Sequence, residues 1–368
     1  MFLALKEMRR AKVRFGLLMA AVGLLVFLVL FQQSLQNGLL TAFTGGIEHQ
    51  SAPVVVYSVD GRRNLQGGVI VPELEQLVRT TDGVGEVGRF SLATFTVADG
   101  EATDASVVGF EGLGAPDTLV AGRLPRAPGE AVADVSDADR GFDIGDTVKL
   151  DPAGFEITVV GLAEDVLINV TPTLWVPYET YEAAVNSRAQ APGTILPGAL
   201  VVAPANGVTP AQLVERINAA SNDLDALTRA DAADLAPGVS QVRTSFRIIF
   251  LLYALVIPLV TGLFFLILTL QKSDALTLLR AIGAHAGTLV RALLLQVAIV
   301  LAVGLLIGIA LYSPLAPQRL GGITLRFETG AVVFWSVLLF SFGLVSALFS
   351  ARRVLAIDPI DATTGAGR

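Results

Sequence analysis

FGLLMAAVGLLVFLVLF, residues 15–31, is uncharged and apolar from end to end. A bilayer crossing takes about 20 such residues in a helix, so the run is long enough to span. Three more runs of this kind follow at 248–270, 292–313 and 330–350. Their spacing is uneven, one near the N-terminus and three in the last third, with a domain's length of polar chain between. The mean hydropathy of +0.64 therefore comes from the runs and not from the middle.

Charge follows the same division. Residues 45–245 hold 28 Asp and Glu against 12 Lys and Arg, while the rest of the chain holds 5 against 14. The basic residues border the runs: Lys6, Arg9, Arg10, Lys12 and Arg14 before the first, Lys272, Arg280 and Arg291 between the second and third, and Arg352 and Arg353 after the fourth. By the positive-inside rule both termini and the 272–291 segment face the cytoplasm, and the acidic middle faces outward. Arg319 and Arg326, in the loop between the third and fourth runs, depart mildly from that bias. The expected fold is a four-helix α-helical membrane protein in a 1+3 arrangement, with a large extracytoplasmic α+β domain inserted between helices 1 and 2. A bacterial cytoplasmic (inner) membrane is the expected location.

The first run is expected to be a retained anchor, since 17 apolar residues are long for a signal peptide and no small-x-small cleavage pattern follows. No charge occurs over 15–47, so the helix continues past the bilayer as a stalk. The expected segments are a cytoplasmic amphipathic helix over 1–14, a spanning helix and stalk over 15–44, the outer domain over 45–245, and a second span over 246–271. A cytoplasmic helix and loop over 272–288, a span over 289–313, an outer loop over 314–329, a last span over 330–351 and a cytoplasmic tail over 352–368 complete the chain. Gly45-Gly46 reads as the exit from the stalk. APVVVYSV, 52–59, reads as a strand and Asp60-Gly61 as a turn. PELEQLVRT, 72–80, reads as a helix with Pro at its first turn. TPAQLVERINAA, 209–220, reads as a helix capped by Thr209. Residues 229–243 read as an Ala- and Asp-rich linker or a second stalk.

Most chemical motifs are excluded. With no Gly-Lys dipeptide there is no P-loop. Gly83, Gly85 and Gly88 form a GxGxxG, but the expected helix precedes it and the strand follows, the reverse of a dinucleotide fold. Asp134, Asp137, Asp139 and Asp143 crowd one segment, yet an EF-hand register fails at Gly141 and Val148, leaving a solvated acidic loop. With no cysteine there is no thiolate site. The two histidines, His49 and His285, fall on opposite sides of the expected membrane. The acidic outer domain speaks against nucleic acid as a partner. Neither a metal site nor a catalytic constellation is expected.

QKSDALTLLRAIGAHAGTLVRALLLQ, 271–296, is different. Its 274–282 portion patterns as a helix ended by Gly283, with Leu276, Leu279 and Ile282 on one side and Lys272, Asp274 and Arg280 as charged contacts. Leu278-Leu279-Arg280-Ala281-Ile282-Gly283-Ala284 resembles the signature of the FtsX-like (MacB-type) ABC permease family. Lys272, Ser273 and Asp274 stand where that family usually has Arg-Arg-Glu. The ending ARRVLAIDP, 351–359, and the pieces AGRLP, 121–125, and PGEA, 128–131, are similar to family sequences as well. In length and in FLALKEMRRAKVRFGLL, 2–18, the chain looks most similar to single-chain DevC- and haemin-exporter-type permeases.

The resemblance implies a permease subunit that pairs with a second copy of itself and with two copies of a cytoplasmic ABC ATPase. Lys272, Asp274, Leu278, Leu279, Arg280, Ile282 and Gly283 would form the helix that docks in the ATPase. ATP and magnesium would sit on that partner, with no cofactor on this chain. The expected activity is export of an amphipathic or hydrophobic compound such as a haem-like molecule, lipid, peptide or drug. A haem-like ligand would call on Glu48, His49 or Tyr57 as axial or propionate contacts; a polar girdle beyond the helix is the plainer reading of the same residues. Membrane lipids and an extracytoplasmic adaptor or substrate-binding protein are further expected partners. The alternatives are a mechanotransmitting regulator of a cell-wall hydrolase, whose family members have smaller outer domains, and a lipoprotein-releasing permease.

Overall fold

In the computed structural model the uncharged stretch beginning at Phe15 is one helix, α1, Lys12–Glu48. Its 37 residues amount to about 55 Å at 1.5 Å per residue, well beyond the roughly 30 Å of a hydrocarbon core. The structure describes residues 8, 11–97, 103–189, 193–271, 285–316, 318–320 and 323–355. Most of the expected N-terminal amphipathic helix and the expected docking residues Lys272, Asp274, Leu278, Leu279, Arg280, Ile282 and Gly283 lie outside them.

The chain divides into two units. One comprises Met1–Gln36, Thr244–Arg319 and Leu325–Arg368; the other comprises Asn37–Arg243 and Leu320–Thr324. The first is helical. Besides the N-terminal part of α1 it holds α6, Val239–Gln271, from Thr244 on, with α7, Ala286–Tyr312, and α8, Thr329–Leu355. All four helices are long and apolar enough to cross a membrane. The packing of α1 on α7 depends on missing side chains. A Cβ on Gly308 would lie 2.6 Å from Val26 Cβ and 2.7 Å from Gly23 O, and one on Gly304 would lie 2.5 Å from Val22 Cγ1. Small residues four apart let two backbones meet where lipid supplies no hydrophobic drive for association. α7 meets α8 through Leu301, against which Gly343 leaves room.

Several polar groups find partners on other elements of this unit. Ser34 Oγ exchanges hydrogen bonds with the Arg326 backbone at 3.1 and 3.2 Å, and Tyr312 Oη donates to the same Arg326 carbonyl at 2.7 Å. Trp335 Nε1 donates to Gln33 Oε1 at 3.2 Å. α6 carries Pro258 without ending there, and Ser346 Oγ of α8 donates to the Pro258 carbonyl at 2.8 Å. α6 is the least buried of the four spans within this chain; Ile248, Leu251, Leu255, Leu259 and Leu263 line one exposed stripe.

The second unit is a ten-stranded sheet with helices. Its strands are β1 Val54–Ser58, β2 Val84–Val97, β3 Thr103–Phe110, β4 Leu119–Gly122, β5 Glu130–Asp134, β6 Thr147–Leu150, β7 Phe155–Ala163, β8 Thr173–Pro177, β9 Ala199–Pro204 and β10 Leu224–Thr228. The order is β10-β1-β9-β2-β3-β8-β5-β7-β4, with β6 joining β2 and β7. Pairs β3–β8 and β5–β7 are parallel; the other pairs are antiparallel. A second pair, β11 Arg319–Leu320 and β12 Ile323–Thr324, lies in the stretch expected as an outer loop.

Side-chain alternation, period two in a strand, builds three cores from this sheet. Val54 and Val56 of β1, with Leu200 and Val202 of β9, pack under α2 (Pro72–Thr80) and α4 (Pro210–Ala220). Farther along, Val107, Leu174 and Ala133 pack under α3 (Tyr178–Ser187). On the opposite face Val55, Tyr57, Val108, Val132, Trp175 and Val201 form one continuous layer. That layer is closed by Ile47 of α1, by Ala232 and Ala233 of α5 (Arg229–Asp234), and by Val239 at the start of α6.

Two local expectations are corrected here. Residues 229–243 are not a linker: α5 lies there, and Ala232, Ala233, Ala236 and Val239 are buried; only the alternative of a helical stalk survives in part, since α6 begins at Val239. Alanine fits a close approach to a sheet, and its small size hides the pattern from a search for large apolar residues. Nor is the acidic segment a solvated loop throughout. Asp134 and Asp137 are buried; Asp134 Oδ1 accepts from Ser136 N at 2.8 Å, and Asp137 pairs with Arg140 at 3.0 Å. The capping box at Thr209 is present as expected, its hydroxyl accepting from Gln212 N while Gln212 Oε1 accepts from Thr209 N.

Candidate functional site

The β7–β8 loop, EDVLINVT, 164–171, carries an apolar triplet, Val166, Leu167 and Ile168, and all three are buried. A buried loop needs partners for its backbone polar groups, and several of them are supplied from within the domain. Val166 N donates to Asp134 Oδ2 at 2.8 Å, and the Val166 carbonyl accepts from Trp175 Nε1 at 3.0 Å. Ile168 N donates to Thr173 Oγ1, and Thr171 closes the turn onto the Ile168 carbonyl.

Others bond to α1. Gly46 N donates to Leu167 O at 2.9 Å, Asn169 N to Phe43 O at 3.2 Å and Val170 N to Ala42 O at 2.8 Å. Three backbone hydrogen bonds thus fasten the end of the long helix to the sheet. Gly45-Gly46 makes the approach possible. A Cβ on Gly45 would strike the Asp165 carbonyl, and one on Gly46 would lie 2.6 Å from Ile168 Cγ1 and 2.8 Å from Trp175 Cζ2. The glycine pair is therefore a seat inside the last turns of α1, which run on to Glu48, and not the exit from the stalk.

Asp165, Asn169 and Val170 all have left-handed backbone, φ 61°, 57° and 61°. For a β-branched residue such as Val170 this is a true outlier, costing on the order of 1–3 kcal/mol and persisting only where the surroundings over-determine it. The cross-bonds to α1 are those surroundings.

Beside the joint lies a cavity of about 160 Å³. Phe43 and Ile47 of α1, Leu65, Leu92 and Ile168 give it apolar walls, and Arg63, Asn64, Gln66 and Asn169 give it polar ones. Arg62 and Arg63 are left-handed too, φ 49° and 61°. Arg63 Nε donates to Asp225 Oδ2 at 2.6 Å.

Of the residues expected to meet a haem-like ligand, Glu48 is exposed at the end of α1 and His49 is a third exposed. His49 Nδ1 lies 3.7 Å from Asp117 Oδ1, and Asp117 Oδ2 accepts from Arg229 Nη1 at 2.8 Å. Tyr57 sits apart from them, enclosed in the sheet at 1% exposure and opposite Asp225 in register. Among the described residues its hydroxyl has no hydrogen-bond partner. Burial pushes the phenol well above its ordinary value, Asp225 adds to the shift and Arg63 opposes it.

Sequence reasoning missed the 164–171 loop and Arg63. The signals were there: an apolar triplet between a strand and an Asn, and two arginines directly after a turn. It did single out AGRLP and PGEA, which the fold brings together. Arg123 forks onto Glu130 at 2.7 and 2.5 Å, and Glu130 also accepts from Arg126 N and Ala127 N. The guanidinium, aided by those two N–H groups, holds the Glu130 carboxyl down at about 2 from 4.5. A depressed carboxylate stabilises the fold above its unfolded pKa and loses that contribution as pH falls through the folded one. Thermal unfolding should therefore separate wild type from Glu130→Gln fully at about pH 6, with the gap closing between about pH 4.5 and about pH 2.

Residues 15–220, more than half of the chain, match the family described as MacB-like periplasmic core domain. The chain belongs to that family. A putative hemin transport system permease protein, HrtB, of Staphylococcus haemolyticus is 31% identical over 107 residues, which is 29% of this chain and 30% of that protein. An uncharacterized ABC transporter permease of Mycobacterium tuberculosis is 22% identical over 373 residues, 99% of both chains. Among solved structures, the periplasmic region of MacB from Actinobacillus actinomycetemcomitans covers 50% of this chain and 92% of its own at 16% identity and a TM-score of 0.37. The MacB-like chain is thus an ABC transporter permease of MacB/FtsX type, with four apolar helices and a large α+β domain. A permease of this kind implies an ATPase partner.

Proposed function

We propose that this permease couples ATP hydrolysis by a separate cytoplasmic ATPase to movement of its outer domain, and so exports an amphipathic or hydrophobic compound. One observation carries the reading: α1 is bonded backbone to backbone to the 164–171 loop of the sheet. A helix fastened in this way hands displacement to the domain without slack. Two copies of the ATPase, each with ATP and magnesium, would engage the 272–288 segment of two permease copies in the bacterial cytoplasmic membrane, both termini inside. The exposed stripe Leu251, Leu255 and Leu259 of α6 is where the second copy would sit. A haem-like cargo gains support from the name of the Staphylococcus haemolyticus relative.

The test is the double change Arg280→Glu with Gly283→Leu, assayed by co-purification of the ATPase from membranes. The permease should stay in the membrane with about a tenfold loss of bound ATPase, the effect of roughly 1.4 kcal/mol. ATPase retained at wild-type level would overturn the docking assignment.

A further inference from the structure

We propose that the cavity beside the α1 joint binds an amphiphile through a single carboxylate or phosphate head. The inference rests on the outer domain alone and goes beyond the export reading, so the two can fail separately.

The polar side of the cavity is rich in donors. Arg63 commits Nε to Asp225, and among the described residues its two Nη atoms have no hydrogen-bond partner. The side-chain amides of Gln66 and Asn169, and Nδ2 of Asn64, whose Oδ1 is taken by Gln66 N, likewise lack a protein partner among the described residues; all three residues are exposed at the mouth of the space. No carboxylate is among the residues described as lining the space. In a segment with 28 acidic and 12 basic residues, the opening carries one guanidinium, paired with Asp225, and three neutral amides. Of these, Arg63 holds a left-handed backbone, φ 61°, that its side chain does not favour, whereas Asn169 adopts the same region readily. Strain of this kind gathers at ligand clamps.

The other side is apolar, and Phe43, Ile47, Leu65 and Ile168 decide the class of ligand. A free anion would meet the domain's negative field with only these donors to hold it. A molecule with a short apolar body adds burial against the far wall, each methylene contributing about fourfold in affinity. The space of about 160 Å³ has room for a polar head with methylenes attached.

The experiment is equilibrium dialysis with the full chain in phosphatidylcholine nanodiscs, subtracting empty discs. Octyl phosphate and octanoate should bind saturably, one per chain, with octanol and inorganic phosphate at least about tenfold weaker. Asn169→Asp and Gln66→Glu should each weaken octyl phosphate about tenfold by like-charge repulsion and leave octanol unchanged. Asp tolerates the left-handed backbone; Gln66 is exposed, so its variant keeps the test decisive if Asn169→Asp fails to fold. Octanol binding as tightly as octyl phosphate would reduce the cavity to an apolar hole. Inorganic phosphate binding as tightly would make it an ion site. Either result, an absence of saturable binding, or indifference to both variants overturns the proposal.

Discussion

Gly46→Val should unseat α1 from the sheet. The added Cβ would fall 2.6 Å from Ile168 Cγ1, 2.8 Å from Trp175 Cζ2 and 2.9 Å from Val166 O. None of these is the free end of a flexible side chain. Ile168 lies in the cross-bonded loop, the Trp175 ring is buried between Phe90 and Phe110 at 5.8 and 6.5 Å, and Val166 O already accepts from Trp175. Overfilling a packed site costs typically 1–3 kcal/mol, and here it also stretches the Gly46–Leu167 bond. The expected result is a lower unfolding midpoint for the outer domain. Fast hydrogen exchange at Gly46, Asn169 and Val170 should accompany it, since those amides depend on the joint. Gly16→Ala is the control: nothing lies within 4 Å of a Cβ there, and a helix gains from the exchange. Unchanged exchange at Asn169 and Val170 in Gly46→Val would mean that the joint does not hold the loop.

Gly304→Leu with Gly308→Leu should open the helical unit. Both glycines face α1, where Val22 and Val26 are β-branched and stiff. Neither valine can turn aside, and Gly23 O stands 2.7 Å from the Cβ position of Gly308, so the two helix axes must separate. Val22, Val26, Val300 and Leu301 share the buried cluster that this separation exposes. At about 1–3 kcal/mol for each overfilled position, the pair should cost about 2–6 kcal/mol before coupling between neighbouring sites. The measurement is the thermal midpoint in detergent, with Gly287→Leu of α7 as the control because its Cβ position is open. A double variant as stable as the control would show that α1 and α7 do not depend on this contact.

The spans were legible because a soluble domain seldom carries an unbroken apolar window of about 20 residues, and α1's length followed from the absence of charge over 15–47. Helix α4 was legible from Thr209-Pro210, a local signal that needs no tertiary contact. Strands β5, EAVAD, and β10, LDALT, were not. Their inward positions are mostly alanine, which has weak strand propensity, and only burial by neighbouring elements holds them extended. Gly45-Gly46 was read as a break for the same reason: a glycine that admits a neighbour looks, in one dimension, like a glycine that ends a helix. The site was legible only in fragments. Arg123 and Glu130 stood out as family pieces, but their ion pair is a matter of chain folding. Leu167 and Ile168, the residues that clasp α1, carry no chemical motif at all.

The attachment of α1 also has a handedness. Ala42, Phe43 and Gly46 supply its three bonds, and at about 100° per residue they occupy an arc of about 100° on the helix. Grouped on one side, they key it like a shaft in a hub. A roll of the helix about its own axis would therefore strain all three bonds together.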